Sequence, residues 1–304
     1  MELVKLLHNP DAGEGGFSED ELVKLIERNG FRCEYDSMEK KDWKDISPEV
    51  DFLVVTGGDG TVRKVVKRLL NRKLIDKKFP LALLAAGTAN NIAKALNLDD
   101  DPNRVVASWK DGHIKEFDAG RIYNVSKSKF LLEGLGFGVF PELMRQMEKA
   151  DADAKEGPGQ KMRLALQMLD DIVNSYEPRY CYIEADGTDY SGNYIMVEVM
   201  NIRSIGPNLV LAESADPGDG WFELVLVPAD KRSELSAYIE NKINGVEVIL
   251  PIEPVRFKNA TLKWDGNMLH IDDELIRNNK KKDVMIAMHR HSLAFFVKHK
   301  LDAL

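Results

Sequence analysis

Three short stretches combine residue types at a spacing suited to binding phosphate. The strongest is TGGDGT, Thr56 to Thr61, which follows an apolar run. Gly57, Gly58 and Gly60 permit positive φ and close backbone approach, while Thr61 can cap a following helix and bond a phosphate oxygen. Asp59 stands among these glycines, and a carboxylate repels phosphate unless a divalent cation lies between them. The loop chemistry therefore points to Mg2+ with a nucleotide, although a bare glycine loop also serves as a tight structural turn. No GxxxxGK motif occurs, which excludes a Walker-type NTPase. The second stretch, AAGTANN, offers Thr88, Asn90 and Asn91 either to a nucleotide or as caps for a helix beginning at Ile92. The third, NPDAG from Asn9 to Gly13, places Asn, Pro and Gly where a chain turns sharply, beside a ligand or simply as a turn. Together they are informative because all three lie on the same edge of one predicted sheet.

Chemistry-bearing residues thin out further along. Asp272, Asp273 and Glu274 place three acids in one hairpin, which on residue types alone reads as a solvated turn. His289 and His291 alternate on one strand with no third metal ligand in view, so a structural or surface role is expected. Lys280 to Lys282 form a basic turn, read as a solvated loop with lipid headgroups as the functional alternative. Met144, Met147, Met162 and Met168 fall on two middle helices and suit ordinary packing, or else an acyl-chain groove. GLGFG, Gly134 to Gly138, marks a strand end where backbone comes close to backbone or substrate.

The elements that must position these residues change character along the chain. Before Gly120, apolar strands alternate with amphipathic helices, as in a parallel sheet covered on both faces. Leu3–Leu7, Phe31–Tyr35, Asp51–Val55 and Leu81–Ala85 read as the strands. Ser18 and Glu21 form a capping box, Gly30 ends that helix, and Val62, Val65, Val66, Leu69 and Leu70 make a helical stripe. Residues 142–150 and 160–175 read as helices, with the acidic ADADAKEGPG stretch between them as a surface loop. From Tyr180 to about His289, period-two alternation and closely spaced turns predict an antiparallel sandwich or barrel, with one helix in SELSAYIENKINGVEV.

Composition bounds the function. The chain has 304 residues, 44% hydrophobic and 30% charged, which excludes a fibrous or largely disordered protein. A net charge of −8 argues against a nucleic-acid partner. Cys33 and Cys181 supply neither a disulfide framework nor a zinc site. The start MELVKLLHNP lacks a signal-peptide pattern, and no apolar run reaches the roughly 18 residues of a membrane span. A soluble cytoplasmic enzyme is expected.

NPDAG, VVTGGDGTVRKVV and LAAGTANNIAKAL, in this order and spacing, resemble the catalytic domain of the diacylglycerol kinase and sphingosine kinase family. The resemblance runs on through FDAGRIYN, FLLEGLGFGVF, VEVMNIRSIG, LAESADPGDGWFELVLV and HIDDELI, and is nearest to the bacterial soluble lipid kinases. It implies an α/β plus mainly-β chain. A phosphofructokinase-like nucleotide domain (residues 1–120 with 292–304) would accompany an antiparallel β-sandwich lipid-substrate domain (121–291), with the nucleotide site between them. Carried over by motif, Asn9, Gly13, Gly58, Asp59, Gly60, Thr61 and Thr88 would hold ATP, with Gly57 and Asn91 in the same loops. Asp216, Asp219 and the Trp221 carbonyl would bind magnesium, and Asp118 would organise its water network.

The family's DGE triplet is matched by Asp272, Asp273 and Glu274, so Glu274 or Asp272 would take the acceptor hydroxyl's proton. Three positions depart from the pattern: Asp273 replaces a glycine, Asn91 an acid and Ala86 a proline. The function so implied is an ATP- and Mg2+-dependent lipid kinase acting on the hydroxyl of a diacylglycerol-like or sphingoid lipid. It would meet that lipid transiently at a membrane surface, and a homodimer is compatible with the fold. The alternatives are an NAD-kinase-like phosphotransferase with a soluble substrate, and a catalytically weakened nucleotide- or lipid-binding regulator.

Overall fold

A computed structural model describes residues 1–12, 17–72, 77–125, 129–150, 157–278 and 282–298. Gly13, the acidic stretch at 151–156, most of the Lys280–Lys282 turn and residues 299–304 lie outside these. The chain is mixed α/β, with both parallel and antiparallel strand pairs. Two compact units emerge, Met1–Phe117 with His291–Leu304, and Asp118–Arg290. The backbone crosses from one to the other within strand Ile114–Tyr123 and returns within strand Val284–Phe296.

In the first unit, strands Arg32–Ser37, Leu3–His8, Phe52–Gly57 and Leu81–Ala85 pair in that order, all parallel. Leu3–His8 and Phe52–Gly57 are buried along their whole length, as a sheet covered on both faces requires. Helix Glu19–Arg28 begins at the Ser18–Glu21 capping box and ends before Gly30, whose φ of +89° is the left-handed stop. Its Leu22, Leu25 and Ile26 pack with Val4, Leu6, Phe52 and Trp109. Helix Asp59–Leu70 buries Val62, Val65 and Val66, following its predicted stripe.

The second unit is antiparallel. Strand Gly192–Met200 pairs with Phe222–Pro228, Arg179–Ala185 and Gly134–Gly138, the last of which also pairs with Met268–Ile271. Val197 and Val199 point into an apolar interior with Leu135, Phe137, Leu262 and Leu269. Met196 and Met200, on the opposite face, meet helices Val139–Ala150, Pro158–Ser175 and Arg232–Ile243 through Phe140, Leu169, Val173 and Tyr238. A strand covered on both faces reads as a continuous apolar run, and IMVEVM does so with Glu198 as its one charge. Cys33 and Cys181 are free thiols, each pushed up to about 12 by burial. No helix among the described residues is long and apolar enough to cross a membrane.

Candidate active site

The three strand-end loops of the first unit are tied into one knot. Asn9 donates from its backbone N–H to Thr56 O (3.0 Å) and from Nδ2 to Thr61 Oγ1 (3.0 Å). A Cβ on Gly57 would lie 2.5 Å from Thr61 Oγ1, and one on Gly87 would lie 2.4 Å from Gly58 Cα. The GGDGT and GTANN backbones thus touch at Gly58 and Gly87, where only glycine fits. Asn90, at φ +52°, braces its own loop by accepting from Gly87 N–H (2.9 Å) and donating to Gly87 O (2.8 Å).

Two sequence expectations change here. Thr61 does not cap helix Asp59–Leu70: its hydroxyl accepts from Asn9, and the N-cap position is Gly58, which has no side chain. Nor do Thr88, Asn90 or Asn91 cap helix Asn91–Ala95. Asp59 does so from the neighbouring loop, its carboxylate accepting from Asn91 N–H (2.9 Å) and Ile92 N–H (3.0 Å). The acid among the glycines therefore has a structural explanation that needs no cation. Asn91 is buried, Thr88 is exposed, and Gly58, Asp59 and Gly60 are half-buried at the N-terminus of the Asp59 helix.

In the second unit the DPGDG loop folds around Asp118, which is fully buried. Asp118 donates its N–H to Pro217 O (2.5 Å) and accepts at Oδ2 from Gly220 N–H (2.8 Å). Asn201 Nδ2 reaches Asp118 O (3.0 Å) and Leu132 O (2.8 Å). Asp216 accepts from Gly218 N–H (2.8 Å) and Asp219 from Trp221 N–H (2.9 Å), while the Arg256 guanidinium bonds the other Asp219 oxygen.

Arg256 also stacks over Trp221 and approaches Glu223 at 3.6 Å. No group of three or more His, Cys, Asp or Glu side chains among the described residues is arranged to hold a metal ion. The expected magnesium residues Asp118, Asp216 and Asp219 lie close enough that, after burial, the charges of Asp216 and Asp118 push the Asp219 carboxyl up, and Trp221 follows in the same loop. These carboxylates turn to backbone amides, and Arg256 supplies the positive charge at Asp219.

The acidic triplet is divided by its surroundings. Asp272, at φ +51°, accepts from the N–H groups of Leu132 (3.0 Å), Glu133 (2.8 Å) and Gly134 (3.2 Å), and donates its own to Gly134 O (2.7 Å). Its carboxylate is buried and anchors the turn. The left-handed position in this two-residue hairpin is Asp272, so Asp273 replaces glycine where no positive φ is needed. Glu274 opens strand Glu274–Arg277 and is half-buried.

Of the GLGFG glycines, Gly136 makes room for a side chain: a Cβ there would meet the Glu198 carboxylate at 2.0 Å. Gly138 brings backbone close to backbone, at Ile195 O. His289 and His291 are exposed, and a left-handed backbone at His291 breaks the alternation that would align them.

Residues 4–122 match the model of the diacylglycerol kinase catalytic domain. That segment belongs to this family. A Staphylococcus haemolyticus protein provisionally named a lipid kinase is 23% identical over 256 residues, 83% of this chain and 79% of its own. A Staphylococcus carnosus protein of the same provisional name is 25% identical over 224 residues, 74% of this chain and 69% of its own. In fold, the chain is similar to the crystal structure of a diacylglycerol kinase from Bacillus anthracis (TM-score 0.72, 16% identity, 97% of each chain). It is also similar to an NAD kinase from Archaeoglobus fulgidus in complex with ATP (TM-score 0.56, 10% identity, 98% of this chain and 94% of that one).

The diacylglycerol kinase segment holds Asn9, the GGDGT and GTANN loops and Asp118, while the DPGDG loop and the 272–274 turn lie beyond it. Within it, Asp59→Ala leaves two amides without their acceptor, at a cost of about 1–3 kcal/mol. The expected fall in Tm appears in magnesium-free buffer, where a carboxylate serving only a cation would leave Tm unchanged.

The sequence singled out none of Glu198, His270, Asn201, Glu223 or Arg256. A lone charge inside the apolar runs around Glu198 and Glu223 was the available signal. Glu223 is almost fully buried with no hydrogen-bond partner, and burial together with Asp219 pushes its carboxyl up to about 8, against the pull of Arg256. Between 4.5 and about 8 the folded chain thus holds a proton that the unfolded chain has released, so stability falls as pH rises through that window. Glu223→Gln removes this part of the decline, with a ceiling of about 5 kcal/mol. Urea unfolding at about pH 5 and about pH 9 reads the effect. A difference between wild type and variant that stays constant with pH overturns it.

Proposed function

We propose that the protein is an ATP- and Mg2+-dependent lipid kinase, transferring the γ-phosphoryl group to a hydroxyl of a diacylglycerol-like or sphingoid lipid. The observation that carries this reading is the glycine-lined N-terminus of helix Asp59–Leu70, whose N-cap is Gly58 and which the GTANN loop frames. Amide N–H groups without intrahelical partners and the positive end of the helix dipole suit the phosphates of a nucleotide. The first unit, as a phosphofructokinase-like domain, would hold ATP through Asn9, Gly57, Gly58, Gly60, Thr61 and Thr88. The second, as a β-sandwich, would hold the lipid.

Magnesium enters with ATP and offsets phosphate charge, a chemistry that phosphoryl transfer requires. The acceptor hydroxyl forms the new O–P bond as the bond from the γ-phosphorus to the β–γ bridging oxygen breaks, and its proton passes to Glu274. Asp272, committed to three amides, holds the turn. An acidic chain of net charge −8 would meet an anionic bilayer through one limited face, transiently.

Incubation with γ-labelled ATP, Mg2+ and mixed micelles of diacylglycerol, monoacylglycerol, sphingosine and ceramide tests the reading, with NAD in a separate lipid-free tube. Label in one lipid supports it and names the acceptor. The fold likeness to an ATP-bound NAD kinase supports a second reading, a soluble phosphotransferase, which label only in NAD would favour. ATP binding without label in any tube would favour a regulator.

A further inference from the structure

Glu198 and His270 are buried on the helix-covered face of the second unit, 0% and 3% exposed. They come from strands that are not neighbours. Strand Gly134–Gly138 runs between and pairs with both, setting Gly136 opposite Glu198 and opposite His270. Having no side chain, Gly136 lets the two meet above it, with His270 Nε2 2.9 Å from Glu198 Oε2.

The other ring nitrogen, Nδ1, lies 3.0 Å from the backbone carbonyl of Asp272. A carbonyl only accepts, so Nδ1 carries a hydrogen, and one further proton is shared between Nε2 and the Glu198 carboxyl. Burial opposes the imidazolium, but the Glu198 carboxylate and the Asp272 carbonyl outweigh it and hold His270 above its ordinary range. The turn is therefore gripped twice, by His270 at the Asp272 carbonyl and by the amides of Leu132, Glu133 and Gly134 at its carboxylate. A filler of this core needs neither a histidine nor a glutamate, since apolar residues of similar volume stabilise as well or better. The polar pair supplies a directed hydrogen bond to one backbone atom of the turn.

We propose that Glu198 and His270 are a positioning pair that sets the Asp272–Asp273 turn and so places Glu274 for the acceptor hydroxyl. The catalytic half of this inference rests on the lipid-kinase reading; the placement of the turn does not.

The test compares two isosteres in the full chain. His270→Asn keeps a donor where Nδ1 stands, whereas His270→Gln keeps one near Nε2 and loses the bond to Asp272. Hydrogen exchange at the amides of Leu132, Glu133, Gly134 and Asp272 should accelerate about tenfold in His270→Gln, the loss of one such bond, and far less in His270→Asn. Turnover of the labelled lipid should fall about tenfold in the Gln variant with KM for MgATP unchanged, and recover in the Asn variant.

If neither histidine variant folds, Glu198→Leu removes the partner that holds Nε2, with accelerated exchange at those four amides supporting the pair and unchanged exchange overturning it. In wild type, nitrogen-15 shifts of the His270 ring should show a hydrogen on Nδ1. Equal exchange in the Asn and Gln variants, or an Nδ1 without hydrogen, overturns the proposal. A wild type that labels no lipid would sink the kinase reading alone, leaving the exchange comparison to decide the placement.

Discussion

Glu274→Gln should lower lipid phosphorylation by about 10²–10⁴-fold, the usual contribution of a positioned proton acceptor, with KM for MgATP and Tm close to wild type. Glu274 stands half-buried at the start of its strand, and the amide is nearly isosteric with the acid. Asp272→Asn should behave oppositely. Its carboxylate accepts from three backbone N–H groups, so the neutral amide loses charge-assisted bonds and sets an N–H2 group near donors. A loss of about 2 kcal/mol or more is expected, read as a lower Tm, with turnover falling as the turn loosens. Steady-state kinetics beside thermal melts separates the two. An Asp272→Asn protein that melts like wild type yet transfers no phosphate would exchange the roles assigned to these acids.

Gly87→Ala should be the most damaging single methyl group in the first unit. The added carbon would lie 2.4 Å from Gly58 Cα and 2.8 Å from Asn90 Oδ1, and the first of these is backbone that cannot rotate away. Overpacking of this kind costs about 1–3 kcal/mol. Relief requires the GGDGT and GTANN loops to separate, which spreads the glycines expected to line the nucleotide. MgATP affinity should therefore fall at least about tenfold, more than the fall in stability alone would account for. Gly159→Ala, where the methyl meets nothing within 4 Å, is the control and should leave Tm and ATP binding unchanged. Calorimetric titration of MgATP checks both variants, and wild-type affinity in Gly87→Ala would show that loop contact is not what shapes the site.

Features encoded within a few residues were legible in the sequence. Ser18 and Glu21 make a capping box because both partners lie in one helical turn, and the Val62, Val65, Val66 stripe follows from helical period alone. Leu81–Ala85 is a strand with the bounds its apolar run predicts, and the parallel-then-antiparallel change follows from the switch in periodicity. The order of NPDAG, GGDGT and GTANN likewise sufficed to name the family, because each motif is contiguous.

Tertiary structure decided what each acid does. Asp59 caps a helix 32 residues away, an assignment its own neighbours do not encode. Asp272 and Glu274 lie two positions apart, yet it takes the distant amides of Leu132 to Gly134 to make the first an anchor of the turn. Glu198 and His270, 72 residues apart, become partners because a glycine strand runs between them. Local patterns select helix or strand through short-range sterics and periodicity, whereas burial, protonation and hydrogen-bond partner depend on which distant strands become neighbours, and that is settled only when the chain packs.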